Sequence, residues 1–542
     1  MFEAKIKELI SKATKLKKEV IVIEKPKNNF GDYAFPCFIL AKKLKKNPLE
    51  IAKDLEKKIK PNQEIHKIQA MGPYLNFFIK KEKLLQNILK DVQKKKQFSK
   101  KLILVESPGP NTNKPLHVGH IRNLFIGDSV ARILEFVGNK VKRVDIINNR
   151  GIHICKSMIA YQKFGKNKQP NKKSDHFVGD YYVLYSKHPE LEEQAKELLV
   201  KWENKDKKTI DLWKKMNKWA IDGIKQTYKL LNYKHDKSYL ESDNYEKGRS
   251  IVLDGLKKGL FKKKDGAIMI DLGKELGEKI LIRSDGTTVY VTQDLYLAKK
   301  RYEDYKFDKM IYVVANEQNY HFNVLFKVLN LLGFKKDLVH LSYGMVNLPS
   351  GKMKSREGTV IDADELIKEI KEDAKKELIR RYKLSKVELE KRALAIALSA
   401  IKFALLKVDI KKDILFDKKE ALDFEGFSGP YLQYSYARAA SILRKVKTSK
   451  ISYKNLGEKE VILVKKLGEF WNVVKRASEE LKPDQIGVYT YELAKVFNDF
   501  YHNCPVLQAK EEKGRRIEFV KVFKELMKNC LELLGIEVLE RM

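Results

Sequence analysis

Apolar positions change period several times along the chain, and each change marks an element. Residues 1–95 alternate between helical and strand spacing. Ile21-Val22-Ile23 predicts a short strand. From Asp32 through Ile59 apolar residues recur at helical spacing (Phe38, Leu40, Leu44, then Ile51, Leu55, Ile59), and Tyr74-Leu-Asn-Phe-Phe-Ile79 predicts another strand. A small α+β domain follows. Next, Leu102-Ile-Leu-Val105 is a short run suited to a buried strand. Pro, Gly and Asn turn residues then lead into a helical pattern through Ile121, Leu124, Ile126, Val130, Ile133, Leu134 and Val137, closed by Gly138-Asn139. Val141–Ile147 predicts a second strand, with another helix from about Gly151. Strand, helix, strand at this spacing is a βαβ unit and implies a parallel sheet.

Residues of about 165–275 break this rhythm. They are polar and helical, with Trp202, Trp213 and Trp219 as apolar anchors, and the simplest expectation is an insertion between two halves of the sheet. The α/β pattern then returns: a hairpin from Ile280 to Val291 around Asp285-Gly286, a helix starting near Asp294, a strand at Met310–Ala315, a helix at Phe322–Leu332 and a strand-like run at Val339–Val346. Beyond about 365 the pattern is almost wholly helical, with stripes at Leu394, Leu398, Ile401 and Leu405 and at Leu493, Phe497 and Phe500. The expected architecture is an α/β, Rossmann-type parallel-sheet domain (96–365) split by an insertion, between an N-terminal α+β domain (1–95) and a C-terminal all-helical bundle (366–542).

Composition narrows the partners. Lys and Arg number 110 against 72 Asp and Glu, a net charge of +38 spread along the 542 residues, which favours a long contact with a polyanion over a single basic tail. Cys37, Cys155, Cys504 and Cys530 are widely spaced, which excludes a disulfide framework and argues against a structural zinc site. No apolar run approaches the roughly 20 residues of a membrane span, and the N-terminus is charged from its start, so the expected setting is cytoplasmic with no membrane partner.

Chemistry concentrates in two segments. Glu106-Ser-Pro-Gly-Pro-Asn111-Thr-Asn-Lys114-Pro-Leu-His117-Val-Gly119-His120 runs from the end of a predicted parallel strand into a helix start. That is where α/β sheets bind ligands and where helix N–H groups suit phosphate. Gly119 leaves space for a close approach to the backbone, and the two histidines can donate to phosphate oxygens. The second segment, Gly351-Lys352-Met353-Lys354-Ser355-Arg356-Glu357-Gly358-Thr359, is a cationic, glycine-flanked loop after the last strand. One sheet half ending in HxGH and the other in KMxS resembles the HIGH and KMSKS signatures of class I aminoacyl-tRNA synthetases.

The resemblance extends over essentially the whole chain and is to the arginyl-tRNA synthetases. It is carried by His117-Val-Gly-His120-Ile-Arg-Asn, Asn148-Asn-Arg-Gly-Ile-His-Ile-Cys-Lys-Ser157, Tyr290-Val-Thr-Gln-Asp294, Glu317-Gln318-Asn-Tyr-His321, Glu425-Gly-Phe-Ser-Gly-Pro-Tyr-Leu-Gln-Tyr434-Ser-Tyr-Ala-Arg438 and the closing Leu539-Glu-Arg-Met542. Asn29-Phe-Gly-Asp32 and Gly72-Pro-Tyr74-Leu-Asn76 match the family's additional N-terminal domain. The resemblance implies arginine activation by ATP with Mg²⁺ on the phosphates, transfer to the 3′ end of tRNA(Arg), no dedicated metal cage and no structural zinc. A monomer is expected. It implies catalytic roles for His117, His120, Lys114 and Lys352, and ATP contacts for Gly119, His117, His120, Met345, Lys352, Met353 and Ser355.

A guanidinium is a planar, permanently charged fork, so its pocket should offer carboxylates and a flat ring. Glu106, Asp294 and Tyr290 fit that need, and the resemblance adds Asn111 and Gln318 for the amino-acid head group, with His321 nearby. Tyr74 and Asn76 suit a flipped base of the tRNA elbow. Tyr434 and Arg438, which share a helix face, together with Tyr501 and Met542, are implied near the anticodon. Two departures stand out. The loop reads Lys-Met-Lys-Ser-Arg, so the second lysine is replaced by Lys114, or by Lys354 or Arg356; and Asn149 stands where Asp is usual. Three other readings compete. A class I synthetase for cysteine would want zinc thiolates, and one for glutamate a cationic pocket. A non-catalytic RNA-binding protein would not need His117, His120 and Lys352. A small-molecule nucleotidyltransferase would not need the terminal domains.

Overall fold

The computed structural model describes residues 2–26, 30–347, 361–446 and 449–542. The chain divides into two compact units. Met1–Lys95, Ile442–Phe470 and Lys495–Phe523 form the first; Lys96–Ser441, Trp471–Ala494 and Lys524–Met542 form the second. Segments distant in sequence therefore share each unit, which boundaries drawn along the chain do not express.

In the first unit, α1 (Phe2–Thr14) precedes β1 (Tyr33–Pro36), α2 (Phe38–Leu44), α3 (Pro48–Lys58), β2 (Ile65–Met71), β3 (Tyr74–Ile79) and α4 (Lys81–Val92). The strands form an antiparallel sheet in the order β1-β3-β2. Its core includes Phe2, Ile6, Phe35, Leu75 and Phe77. α3 starts where Asn47 accepts a hydrogen bond from the Leu49 N–H with Pro48 next to it, a strong helix-start signal. Ile21-Val22-Ile23 does not form the expected strand. Only the following Glu24 pairs, with Ala34: Ile21 is buried and Val22 exposed as a strand would have them, but alternation makes no strand without a partner backbone.

In the second unit, β4 (Leu102–Glu106), α5 (Val118–Phe136) and β5 (Lys140–Ile147) make the expected βαβ unit. Helices α6 (Ile152–Phe164), α7 (Ser174–Ser186), α8 (Glu192–Glu203) and α9 (Lys207–Leu230) follow, then β6 (Lys237–Leu240). The stretch expected as a single helical insertion at about 165–275 is thus interrupted after α9, where β6 pairs parallel with β5 and adds an edge to the main sheet. Too short to carry a period, Lys-Ser-Tyr-Leu held no strand signal.

α10 (Gly248–Lys257) leads to a separate antiparallel sheet of β7 (Lys262–Lys264), β8 (Ala267–Asp271) and β9 (Glu278–Ile282). The expected hairpin turn at Asp285-Gly286 closes through Ile282 and Thr288, and α11 (Tyr290–Tyr305) begins four residues earlier than the periodicity suggested. β10 (Lys309–Ala315), α12 (Asn319–Leu331) and β11 (Asp337–Tyr343) complete a five-stranded parallel sheet ordered β11-β10-β4-β5-β6. The chain builds outward from β4 in one direction and from β10 in the other. The crevice at their carboxyl ends is a topological switch point, where open α/β sheets bind ligands.

β12 (Val346–Asn347) pairs with β13 (Ile414–Leu415), and α13 (Ala363–Arg381), α14 (Lys386–Leu406), α15 (Lys418–Ala421), α16 (Gly429–Arg444), α17 (Glu458–Gly468), α18 (Phe470–Glu480), α19 (Pro483–Asn503) and α20 (Lys513–Leu533) make up the helical remainder. Of the expected α14 stripe Ile401 and Leu405 are buried but Leu394 and Leu398 only half-buried; Ala393, Ile396, Ala397 and Ala400 complete the core face. Small residues there let neighbouring helices approach, so α14 is buried nearly all round. No helix among the described residues is long and apolar enough to cross a membrane.

Candidate active site

β4 ends at Glu106 and a loop carries the chain to α5. Gly109, at φ +69, directs its N–H to the buried Asp145 carboxylate on β5 at 3.0 Å. Tyr228 donates to the other Asp145 oxygen at 2.9 Å, and Tyr233 donates to the Ser107 carbonyl at 2.9 Å. Asn111 forms a bridge with Asn148, the residue after β5. The loop is therefore built on two strands and on tyrosines from the end of α9 and the turn after it.

His117 caps α5, and its N–H donates to Nδ1 of His120 at 3.1 Å. The rings lie 3.7 Å apart between centroids. Burial pushes His117 down to about 3, with Lys114 adding to the shift, and burial also holds His120 well below the ordinary imidazole range. Both rings are therefore neutral near pH 7. Because Nδ1 of His120 accepts, its proton resides on Nε2, which makes it a neutral donor suited to a phosphate oxygen. A side chain at Gly119 would press on the His117 ring at 3.1 Å, so glycine there lets that ring keep its place. Lys114, its ammonium lowered by burial, lines a cleft of about 180 Å³ with His117, His176 and Asp362.

On the other side of the crevice, Glu106 is 7% exposed and forms an ion pair through Oε2 with Arg301 of α11, which is 1% exposed. Arg301 also faces the rings of Tyr239 and Tyr312 at 5.3 and 5.6 Å. Asp294 accepts from Nε2 of His321 at 2.7 Å. Tyr290, the first residue of α11, is 69% exposed and lines a cavity of about 690 Å³ with Gln293, Arg150 and Glu241. Burial raises the Glu241 carboxyl to about 7; Arg150 opposes the shift and Asp294 adds to it. Gln318 lies exposed just before α12. The structure thus brings Tyr290 and Asp294 onto one helix start and Glu106 beneath, already neutralised.

Arg301 was not singled out in the sequence, although it lies seven residues after Asp294 and so on the same helix face. Nothing in the sequence marks Arg122 as structural either. It is fully buried and donates to the carbonyls of Gly344, Met345, Ile410 and Lys412 at 2.5, 3.1, 3.3 and 2.9 Å. Through it α5 holds the backbone of Met345, whose side chain is partly exposed. Asn149 joins its loop to Ser242: its amide donates to the Ser242 hydroxyl and accepts the Ser242 N–H, both at 2.9 Å. An aspartate could accept both protons, since the hydroxyl reverses its role, so the departure is compatible with the same tie. Lys352, Met353 and Ser355, with Lys354 and Arg356, lie outside the described residues, as does Asn29.

The four cysteines are buried and unpaired. Among the described residues one group, Asp175, His176 and Asp364, is close enough to share a metal ion. The Lys173 ammonium lies 2.7 Å from both carboxylates, so a cation of the protein's own already serves them.

Comparison with known proteins decides what this arrangement belongs to. Three family models match in series: the arginyl tRNA synthetase N terminal domain over residues 1–79, the class I (R) tRNA synthetase catalytic domain over 83–418, and the DALR anticodon binding domain over 432–542. An arginine–tRNA ligase of Treponema denticola is 46% identical, with 97% of this chain and 96% of that protein covered. One of Borrelia duttonii is 44% identical over 99% and 97%. The structure of the arginyl-tRNA synthetase of Thermus thermophilus superposes with a TM-score of 0.83 at 28% identity, covering all of both chains. The chain belongs to the arginyl-tRNA synthetase family.

Within that family frame the residues expected to face RNA separate into three places. Tyr74 and Asn76 are on β3; Tyr74 packs edge-on against the exposed Phe38, while Asn76 is 2% exposed. Both line a cavity of about 650 Å³ with Phe30, Met71 and Gly72. Arg438 lies over the Tyr434 ring at 4.8 Å, and Tyr434 shares a small pocket with Arg381, Tyr382, Phe424 and Met542. Met542 is buried, its carbonyl accepting from the Tyr382 hydroxyl at 2.5 Å. Tyr501 is half-buried in the part of α19 that belongs to the first unit.

Proposed function

We infer that this chain is an arginine–tRNA ligase whose chemistry runs at the carboxyl ends of β4 and β10. The observation that carries the reading is the neutral, hydrogen-bonded His117–His120 pair at the switch point of the sheet, within a chain whose family match is full-length. An arginine carboxylate oxygen attacks the α-phosphorus of ATP. The bond to the β-phosphate oxygen breaks and pyrophosphate leaves. A terminal ribose hydroxyl of tRNA(Arg) then attacks the adenylate carbonyl and AMP leaves. The first step needs positioning and charge stabilisation more than proton transfer. His117 and His120 supply neutral donors, the N-terminus of α5 supplies its dipole, and Lys114 and Lys352 supply cations, with Gly119, Met345, Met353 and Ser355 completing the nucleotide contacts.

The donors beside His117 suit phosphate oxygens better than a metal. Mg²⁺ would accordingly come with the triphosphate and neutralise part of its charge. For arginine, Tyr290 offers its ring and Asp294 its carboxylate to the guanidinium. Glu106 offers Oε1, the oxygen not taken by Arg301, and Asn111 and Gln318 hold the head group. The cavity that Tyr290 lines takes the terminal adenosine. Residues 1–95 and 366–542 hold tRNA through Tyr74, Asn76, Tyr434, Arg438, Tyr501 and Met542, and the net charge of +38 contributes phosphate contacts. The protein acts as a cytoplasmic monomer. Charging assays with each amino acid in turn test this reading. Arginine alone, lost in His120→Ala, is the expected result; charging with another amino acid would overturn the pocket, and tRNA binding without charging would overturn the enzyme.

A further inference from the structure

The first turn of α13 is tied to two helices of the helical stretch after β5. Asp364 Oδ2 receives the Lys173 ammonium at 2.7 Å and His176 Nε2 at 2.9 Å. Asp364 Oδ1 receives the Thr227 hydroxyl at 3.1 Å. The fully buried Asp175 holds Lys173 from beneath at 2.7 Å. Asp362 caps the same turn by accepting the N–H groups of Asp364 and Glu365, and its Oδ2 lies 3.6 Å from His176 Nε2.

The residues entering this turn run antiparallel to the His117 segment. The Val118 N–H donates to the Ile361 carbonyl at 3.1 Å, and the Ala363 N–H donates to the Leu116 carbonyl at 2.9 Å. His117 therefore sits between two backbone hydrogen bonds whose partners flank Asp362. α7 meets the same segment directly, since a Cβ on Gly179 would come within 2.8 Å of Pro115. Any shift of the α13 turn is passed to His117 through two short bonds, with no flexible linker between.

We propose that Lys173, Thr227 and His176 form a clamp on Asp364 that positions His117 for ATP activation, which makes His176 and Asp364 positioning residues of the reaction. The proposal rests on the arginine–tRNA ligase reading. The clamp also sets a pH dependence. The bond to Asp364 raises the His176 imidazole above its ordinary value, with Asp362 and Asp175 adding to this while burial and Lys173 oppose it. A raised value means the imidazolium, and the charge-assisted form of the clamp, is present at low pH and weakens to a neutral hydrogen bond as pH rises through the folded value.

The test uses the full chain with tRNA, ATP and arginine, measuring pyrophosphate exchange from pH 6 to 9, with ATP affinity by calorimetry and the unfolding midpoint alongside. For His176→Gln a fall of about tenfold or more in kcat is expected, since small misplacements of reacting groups cost that much, together with weaker ATP binding, an unchanged arginine KM and the loss of the wild-type alkaline limb. Wild-type kcat, or an alkaline limb that persists in the variant, would overturn the clamp. Should His176→Gln unfold, Thr227→Val removes only one hydroxyl, and a threefold or greater loss of exchange is expected; an unchanged rate overturns the proposal. Failure of the underlying reading shows in the wild type, as exchange with a different amino acid or none. The variant-to-wild-type ratio of ATP affinity then still decides the clamp.

Discussion

Replacing Glu106 by Gln separates structure from substrate contact in the arginine site. Gln keeps the shape and a carbonyl acceptor but removes the charge that faces Arg301, and both residues are more than nine-tenths buried. Arg301, lowered to about 10 by burial, is still charged at neutral pH and would be left without a counterion. Breaking a buried pair this way costs about 3–5 kcal/mol. The rings of Tyr239 and Tyr312 offset part of that, since a cation over an aromatic face gains roughly 1 kcal/mol. A net loss of about 3 kcal/mol is expected in urea unfolding followed by a probe in the second unit. Arg301→Met together with Glu106→Gln removes the orphaned charge, so the double variant should be more stable than Glu106→Gln alone, with a coupling of about 2 kcal/mol. Arginine binding should behave differently. If Oε1 contacts the guanidinium, KM for arginine rises roughly 10- to 150-fold in both Glu106→Gln and the double variant, the worth of one charged hydrogen bond. A Glu106→Gln protein within 1 kcal/mol of wild type, or a double variant no better than the single, would refute the buried-pair argument. An unchanged KM would remove Glu106 from the substrate site.

Four further outcomes follow from the geometry. His120→Asn should lower kcat for pyrophosphate exchange by about 10²–10³ with little change in arginine KM, as expected for a donor that matters most in the transition state; stopped-time exchange assays check it. His117 is depressed to about 3, so the unfolded chain binds more protons below about pH 6.5; wild-type stability should fall as pH drops from there, and the fall should flatten in His117→Asn. Asp145 is raised to about 7 by burial, so its contribution is full only below the ordinary carboxylate value of about 3.9 and is lost as pH rises from there through 7; Asp145→Asn, which can still accept from Gly109 and meet Tyr228, should raise the unfolding midpoint most at pH 8, less at pH 5 and least near pH 4. Arg122→Lys should fail to rescue Arg122→Met in thermal unfolding and in ATP KM, because one ammonium cannot serve four carbonyls that a planar fork reaches.

The sequence by itself determined the βαβ unit, the helix beginning at the HxGH segment, the strand at β10 and the helical character beyond residue 365, because each rests on local periodicity and on turn residues that act within a few positions. Signature segments made the family legible for the same reason: they are contiguous. Long-range pairing was hidden. β6 is too short to show a period, and its place at the sheet edge follows only from its register with β5. Ile21–Ile23 looked like a strand by composition, yet strands exist by virtue of partners, and Glu24 found the partner instead.

What only the tertiary structure decided is which charges meet. Glu106 reads as an unpaired carboxylate until Arg301, almost two hundred residues on, is seen against one of its oxygens. Arg122 looks like a surface charge on a helix until its guanidinium is seen holding four carbonyls. Lys173, Thr227, His176 and Asp364 carry no motif, and they converge because α7, α9 and α13 pack together. Hydrophobic periodicity is a property of neighbouring residues and survives in a string of letters. Electrostatic pairing depends on distance and burial through space, which the chain acquires only when it folds.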